Sequence, residues 1–173
     1  EQGTGTIADN EGKNGETHAH SQQLSSPDLL AASTFGQLVQ YPHVNALRNF
    51  LLNLHLTNFS ATSIRSLSSA PTQQHLSQTG DNLAQVVQYL KEQHPQQFDA
   101  MVQTLQHRVP LLEYVDTETL LDGSILLQIK DTPFEQPVQA QYASEGTLKL
   151  LAYLLLLYDP SPPPLIGIEE PEI

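Results

Sequence analysis

Two stretches near the middle of the chain carry its clearest periodicity. After Asp81, the apolar residues Leu83, Val86, Val87 and Leu90 recur at i, i+3, i+4 and i+7. Beyond the His94-Pro95 break, Phe98, Met101, Val102 and Leu105 repeat the pattern up to Pro110. This spacing lines one face of a helix. Asp81 is a suitable N-cap, and a proline ends one helix or opens the next. A helical hairpin with one apolar face per arm is therefore predicted. Upstream, Leu47, Phe50, Leu51 and Leu54 also fall at helical spacing, while Leu54 to Phe59 alternates as a short strand does. Ser26, Pro27 and Gly36 suit the cap, first position and stop of another short helix. Two segments lack apolar residues to pack. Residues 1–25 have little beyond Ile7 and Leu24, and 66–80 is mostly Ser, Thr and Gln; both read as loops.

From Leu111 the period changes. Leu112 to Val115 and Ile125 to Ile129 read as strands joined through Leu121-Asp122-Gly123-Ser124, and Gln136 to Tyr142 as a third. Thr147 to Tyr158 is a helix apolar almost all round, which predicts burial on most faces. A stiff turn, Asp159-Pro160-Ser161-Pro162-Pro163-Pro164, leads into Leu165-Ile166-Gly167-Ile168. That run predicts a fully buried strand, ending at Glu169-Glu170-Pro171-Glu172 and flanked in a sheet on both sides when the whole domain is present, with part of its edge open when only these residues are ordered. The expected division is a flexible Gly/His-rich segment at 1–25, a helical subdomain at 26–110, and strands with the apolar helix at 111–173. No internal repeat is visible.

Composition narrows the functional classes. The chain has 173 residues, 39% of them hydrophobic and 15% charged, with a net charge of −12. Residues 1–110 hold 8 acids against 5 bases; residues 111–173 hold 11 against 2. Such a balance excludes a basic module that grips nucleic acid along its whole surface. The concentrated acidity repels polyanions or awaits a divalent cation. Zero cysteines exclude a disulfide scaffold and a thiolate metal site. The longest apolar stretch, Leu148 to Tyr158, is interrupted by Lys149 and is too short to span a bilayer. A soluble, cytoplasmic protein without a membrane partner is expected. The first residue is not Met, so the natural chain is expected to begin further upstream.

The candidate chemistry sits in the last thirty residues. A buried strand that ends in two carboxylates delivers them to the crevice where parallel sheets bind ligands. There one carboxylate can hold Mg²⁺ and the other can polarise water. An ordinary strand terminus would look the same from this feature alone. Ser144-Glu145-Gly146-Thr147 adds a second element immediately before the apolar helix. Serine caps the helix, glycine permits close backbone approach, and the first helical N–H groups attract anions. Other candidates are weaker. His18-x-His20 lacks a third ligand at matched spacing, His43, His55, His75, His94 and His107 are scattered, and no nucleophile elbow is present.

Taken in order, Ser-x-Gly, apolar helix, Pro-rich turn, apolar strand and Glu-Glu-Pro-Glu resemble the signature motif and Walker B region of ABC-type P-loop ATPases of the SMC/RecF-like branch, predicted AAA-type ATP-binding proteins. The resemblance is strong over Tyr142 to Glu172. It extends in character back to Ser26, with Gly80-Asp81-Asn82-Leu83 similar to the Gly-x-Asn-Leu that opens the helical insertion there. It implies an α/β fold, an ABC-ATPase head of the P-loop NTPase class with a helical insertion and a sheet incomplete in this chain. It also implies an ATPase using ATP and Mg²⁺, with ATP sandwiched in a head-to-tail homodimer. Ser144 and Gly146 would contact the γ-phosphate held by the opposite subunit, with Glu145 and Thr147 completing the nucleotide-binding signature. Glu169 would take the Mg²⁺-associated place, where Asp is commoner. Glu170 would be the catalytic base. Pro171 and Glu172 would start the loop that crosses the dimer interface. The implied setting is DNA repair or defence, with DNA or an effector protein engaged through other parts of the full chain.

Two motifs of that family are not in these residues. Gly12-Lys13-Asn14 has Asn in place of Ser/Thr, and Ile7 stands where a phosphate loop needs glycine. No switch histidine follows the Glu-Glu pair. The sequence thus reads as the middle of an ATPase, inactive by itself, with the phosphate loop expected upstream. A different class stays open: a non-enzymatic interaction module that docks through the hairpin 81–108.

Overall fold

A computed structural model of the chain describes residues 4–9, 18–23, 33–34, 41–66 and 73–171. The chain divides into two compact units, 1–54 and 55–173. In the first unit, β1 (Thr4–Asp9) pairs antiparallel with β2 (His18–Gln23), Thr4 opposite Gln23 and Asp9 opposite His18. A hairpin thus stands where apolar scarcity predicted only loop. Backbone ladders satisfy N–H and C=O groups whatever the side chains are. Helix α1 (Pro42–Leu52) has proline in its first turn. It has no buried residue, and Leu47, Phe50, Leu51 and Leu52 are exposed. The predicted helix begun by Ser26 and Pro27 lies outside the described residues.

The second unit holds the hydrophobic core. Strand β3 (Leu54–Thr57) leads to the one-turn helix α2 (Ala61–Ile64), which Ser60 caps by accepting from Ser63 N–H at 3.2 Å. The hairpin follows as α3 (Leu83–Gln93) and α4 (Pro95–Arg108), with His94 between them. Leu83, Val86, Val87, Leu90, Phe98, Met101 and Leu105 are all buried, and Val102 packs against the core from a partly buried position. Both arms pack on an antiparallel sheet of β4 (Leu112–Thr119), β5 (Ile125–Asp131) and β6 (Val138–Gln139). Val115 faces Ile129 and Thr119 faces Ile125, with an irregularity between Leu112 and Tyr114. The third strand is two residues long instead of the predicted seven, because the chain winds into a 3₁₀ turn at Ala140–Tyr142.

Helix α5 (Glu145–Leu157) completes the core against α2, α3 and α4. Leu148, Leu151, Ala152, Leu154, Leu155 and Leu156 are buried on it, while Leu157 is exposed. Two expectations are corrected. Asp81 does not cap α3: its carboxylate accepts from Ser77 Oγ, and the helix starts after Asn82, whose side chain also serves the loop. Asn82 Oδ1 accepts from Ser77 N–H at 2.8 Å, and its Nδ2 donates to the His75 carbonyl at 2.9 Å. That loop is accordingly not empty of packing, since Leu76 is buried. Gly80, with φ 73, turns the chain into the helix; a Cβ there would stand 2.9 Å from Ile64 Cγ2.

The second correction concerns β7 (Leu165–Ile168). It is a strand, but it is not fully buried. Among the described residues β3 is its one neighbour. Leu165 is 49% exposed and Ile168 44%. An apolar run forecasts a strand that can be covered on both faces; one partner leaves Leu165 and Ile168 part exposed, and the open edge is the one expected where the rest of the sheet is missing. Among the described residues the fold mixes helices with three small sheets, as suits part of an α/β domain.

Candidate functional site

Ser144 is the N-cap of α5. Its Oγ accepts from Thr147 N–H at 3.0 Å and lies 2.7 Å from Thr147 Oγ1. The Ser144 carbonyl accepts the first helical bond, from Leu148 N–H. Helix geometry provides no upstream carbonyl for the amides of Glu145 and Gly146. Glu145 sits in the first turn, where the helix dipole favours an acid, and pairs with Lys149 at 3.2 Å. Ser144 and Glu145 are exposed; Gly146 and Thr147 are half-buried. Just upstream, Ala143 is buried, and its carbonyl accepts from Arg65 Nη2 at 2.9 Å.

The acidic pair is held by different neighbours. β3 grips the end of β7: Glu169 N–H donates to the Thr57 carbonyl at 2.9 Å, and buried Thr57 Oγ1 reaches the Gly167 carbonyl at 3.4 Å. Asn58 Nδ2 donates to Glu169 Oε2 at 3.2 Å. Glu170 is exposed and has φ 51, in the left-handed region that costs an L-residue roughly 1–2 kcal/mol. Leu56, Thr57, Gly167, Ile168 and Glu169 line a shallow, open cleft at this strand end. Pro171 is exposed, and Glu172 lies outside the described residues. The Ser144 turn and the Glu169-Glu170 turn are thus two separate constellations, each held by its own hydrogen bonds.

The donor chemistry fits a nucleotide with magnesium. Mg²⁺ prefers hard oxygen ligands and is commonly held by one or two carboxylates together with substrate phosphates. Glu169 and Glu170 present such oxygens toward solvent. Among the described residues no group of three His, Asp or Glu side chains converges as a self-sufficient metal cage. The Ser144 hydroxyl and the amides opening α5 suit a phosphate oxygen.

Two features were not visible in sequence spacing. Asn58 and Arg65 lie far along the chain from Glu169 and Ala143, and only the fold joins them. A second cluster gathers His55, His75 and Asp159. His75 Nδ1 is 2.8 Å from Asp159 Oδ2, and the Asp159 side chain is only 6% exposed. His55 Nε2 is buried without a hydrogen-bond partner. Burial depresses the His55 pKa below the usual imidazole value; the Asp159 charge opposes this and the His75 charge adds to it.

Residues 42–173 match the family described as "AAA domain, putative AbiEii toxin, Type IV TA system". The match spans well over half of the chain, so the chain belongs to this AAA-type family of P-loop NTPases, a domain that implies an α/β fold and suggests ATP binding and hydrolysis. No curated protein and no solved structure matches it. No helix among the described residues is long and apolar enough to cross a membrane.

Proposed function

We propose that this chain supplies the signature and Walker B parts of an ATPase head of the SMC/RecF-like branch, working as an ATP-dependent head-to-tail homodimer. The observation that carries the proposal is the Glu169-Glu170 turn: two exposed carboxylates at a strand end, the first tied to Asn58 and the second set apart by a left-handed backbone, in a chain of an AAA family. Opposite backbone settings let adjacent carboxylates take different roles. Glu169 would hold the metal and Glu170 would face the attacking water. Mg²⁺ bound there neutralises charge on the phosphate oxygens.

On this reading Ser144 Oγ and the Gly146 amide bind γ-phosphate oxygens of the ATP held by the partner's phosphate loop. Glu145 and Thr147 shape that turn through Lys149 and the Ser144 hydroxyl. Glu170 orients the water and accepts its proton as the new O–P bond forms and the bond to the ADP oxygen breaks. Release of phosphate removes the ligand shared between heads, and the dimer opens. Parts attached to the heads would convert that opening into work on DNA or an effector, in repair or defence.

The test uses the full-length protein. Glu170→Gln keeps shape and should keep Mg-ATP affinity while losing about 10²–10⁴-fold in turnover. Ser144→Arg should bind nucleotide yet fail to associate on ATP, measured as dimer mass. Hydrolysis by Glu170→Gln at the parental rate would overturn the reading.

A further inference from the structure

A side chain from outside its own helix holds the Ser144 turn. Arg65 follows α2, whose Ile64 is 2% exposed in the core. Ser66, the next residue, donates from Oγ to the Ser63 carbonyl at 2.8 Å, with the Asp81 carbonyl 3.2 Å from the same oxygen. The backbone beneath Arg65 is therefore anchored on both sides. Its guanidinium crosses to a segment 78 residues away in sequence, where Nη2 meets the Ala143 carbonyl at 2.9 Å. Its Nε is buried with no hydrogen-bond partner. A partly buried cation with an unsatisfied donor is a costly way to make a single bond to a neutral carbonyl. Stability alone is a poor reason for it.

The position of that bond supplies a better one. The Ala143 carbonyl and the Ser144 N–H share a single planar peptide unit. Ala143 and Ser144 are both extended, with ψ 162 and ψ 141, before the helix begins. Nothing helical fixes that unit. Arg65 pins its oxygen, and thereby the direction from which Ser144 enters the cap. The same short run of chain also carries Asn58, which holds Glu169. One segment, 58–65, thus reaches both constellations.

We infer that Arg65 is a positioning residue for the Ser144 turn, touching neither nucleotide nor water but fixing the angle at which Ser144 and Gly146 meet the γ-phosphate. The inference rests on the function proposed above. A misplacement of about 1 Å in such a turn can cost on the order of 10²-fold in rate. Arg65 meets the Ser144 turn, which on this reading faces the ATP held by the opposite subunit, so affinity for the subunit's own nucleotide should not follow the loss.

The experiment compares Arg65→Met, Arg65→Lys, Ser144→Ala and the Arg65→Met/Ser144→Ala double variant in the full-length protein. Methionine keeps the aliphatic stem and removes every donor; lysine restores one. Arg65→Met should lower kcat by about 10–100-fold with KM for ATP unchanged, and Arg65→Lys should recover part of it. Amide exchange should quicken at Glu145 to Thr147 while Leu151 to Leu155 stay protected. The double variant should be no slower than Ser144→Ala, because residues acting through one contact do not add. If Arg65→Met does not fold, Arg65→Gln takes its place with the same expectations. Parental exchange and turnover in the donor-less variant, or losses that multiply in the double variant, would overturn the inference while an impaired Ser144→Ala left the ATPase reading standing. An unimpaired Ser144→Ala would remove both together.

Discussion

At Glu170 the backbone and the side chain pull in different directions. A left-handed residue with a Cβ is strained, and glycine would relieve that strain. Glycine also gains freedom in the unfolded chain, which takes back roughly 0.4–1 kcal/mol. Glu170→Gly should therefore stabilise the protein by about 0.5–1 kcal/mol net, seen as a raised melting temperature, while removing turnover. A variant that is both less stable and inactive would mean the φ is not a strain held for function. His55 offers a test by pH. Burial, opposed by Asp159 and aided by His75, keeps its folded pKa below the unfolded value. Between those two values the unfolded chain binds more protons, so stability rises with pH there. The His55 contribution is complete above about pH 6.5 and is lost as pH falls through the folded pKa. Melting temperature should drop between pH 7 and pH 5, and His55→Phe should flatten that slope. Equal slopes in the two proteins would exclude His55 as the source.

The helical hairpin carries the prediction at the scale of elements. Leu90 and Leu105 are 2% and 0% exposed, on facing arms that share a core with β4, β5 and α5. Each Leu→Ala change should cost roughly 2–5 kcal/mol in denaturant unfolding. A loss below about 0.5 kcal/mol would mean the faces are on the surface. Ser144→Ala, which removes one cap bond, should cost only about 1 kcal/mol. These elements were readable because the apolar period runs the length of each arm, Leu83 to Leu90 and Phe98 to Leu105, on either side of the His94-Pro95 break. The Ser144 cap and the strand at Leu165 were equally plain. What escaped the sequence depends on partners, near or far in the chain, that the side-chain pattern does not name. Asp81 looks like a cap until Ser77 claims its carboxylate. Leu165 and Ile168 look buried until β7 finds a single neighbour. The hairpin of β1 and β2 is made by backbone pairing, for which side-chain pattern is a weak guide. Likewise the residue types of the candidate site were legible, whereas Asn58 and Arg65, which hold it, carry no local signal.

For the molecule as a whole, the proposed reading has nucleotide capture shared among several surfaces. The 173 residues contain no Gly-x-x-x-x-Gly-Lys-Ser/Thr run, the cradle that supplies most phosphate contacts in P-loop proteins. This chain alone should therefore show weak or undetectable Mg-ATP binding by calorimetry. Micromolar affinity in it would contradict the division of labour between heads. The net charge of −12 acts in the same direction by repelling a free polyanion. Strand β7, with β3 its one neighbour among the described residues, has a consequence for solubility too. A short apolar strand with an unpaired edge is a template for adding further strands from other molecules. Its flanks oppose this: Pro162, Pro163 and Pro164 on one side cannot extend a ladder, and Glu169 and Glu170 on the other bring repulsive charge to any stacked copy. The carboxylates assigned to chemistry thus double as gatekeepers against aggregation. Neutralising both at once, as in Glu169→Gln/Glu170→Gln, should leave a chain that self-associates through β7 at concentrations where the parental protein stays dispersed.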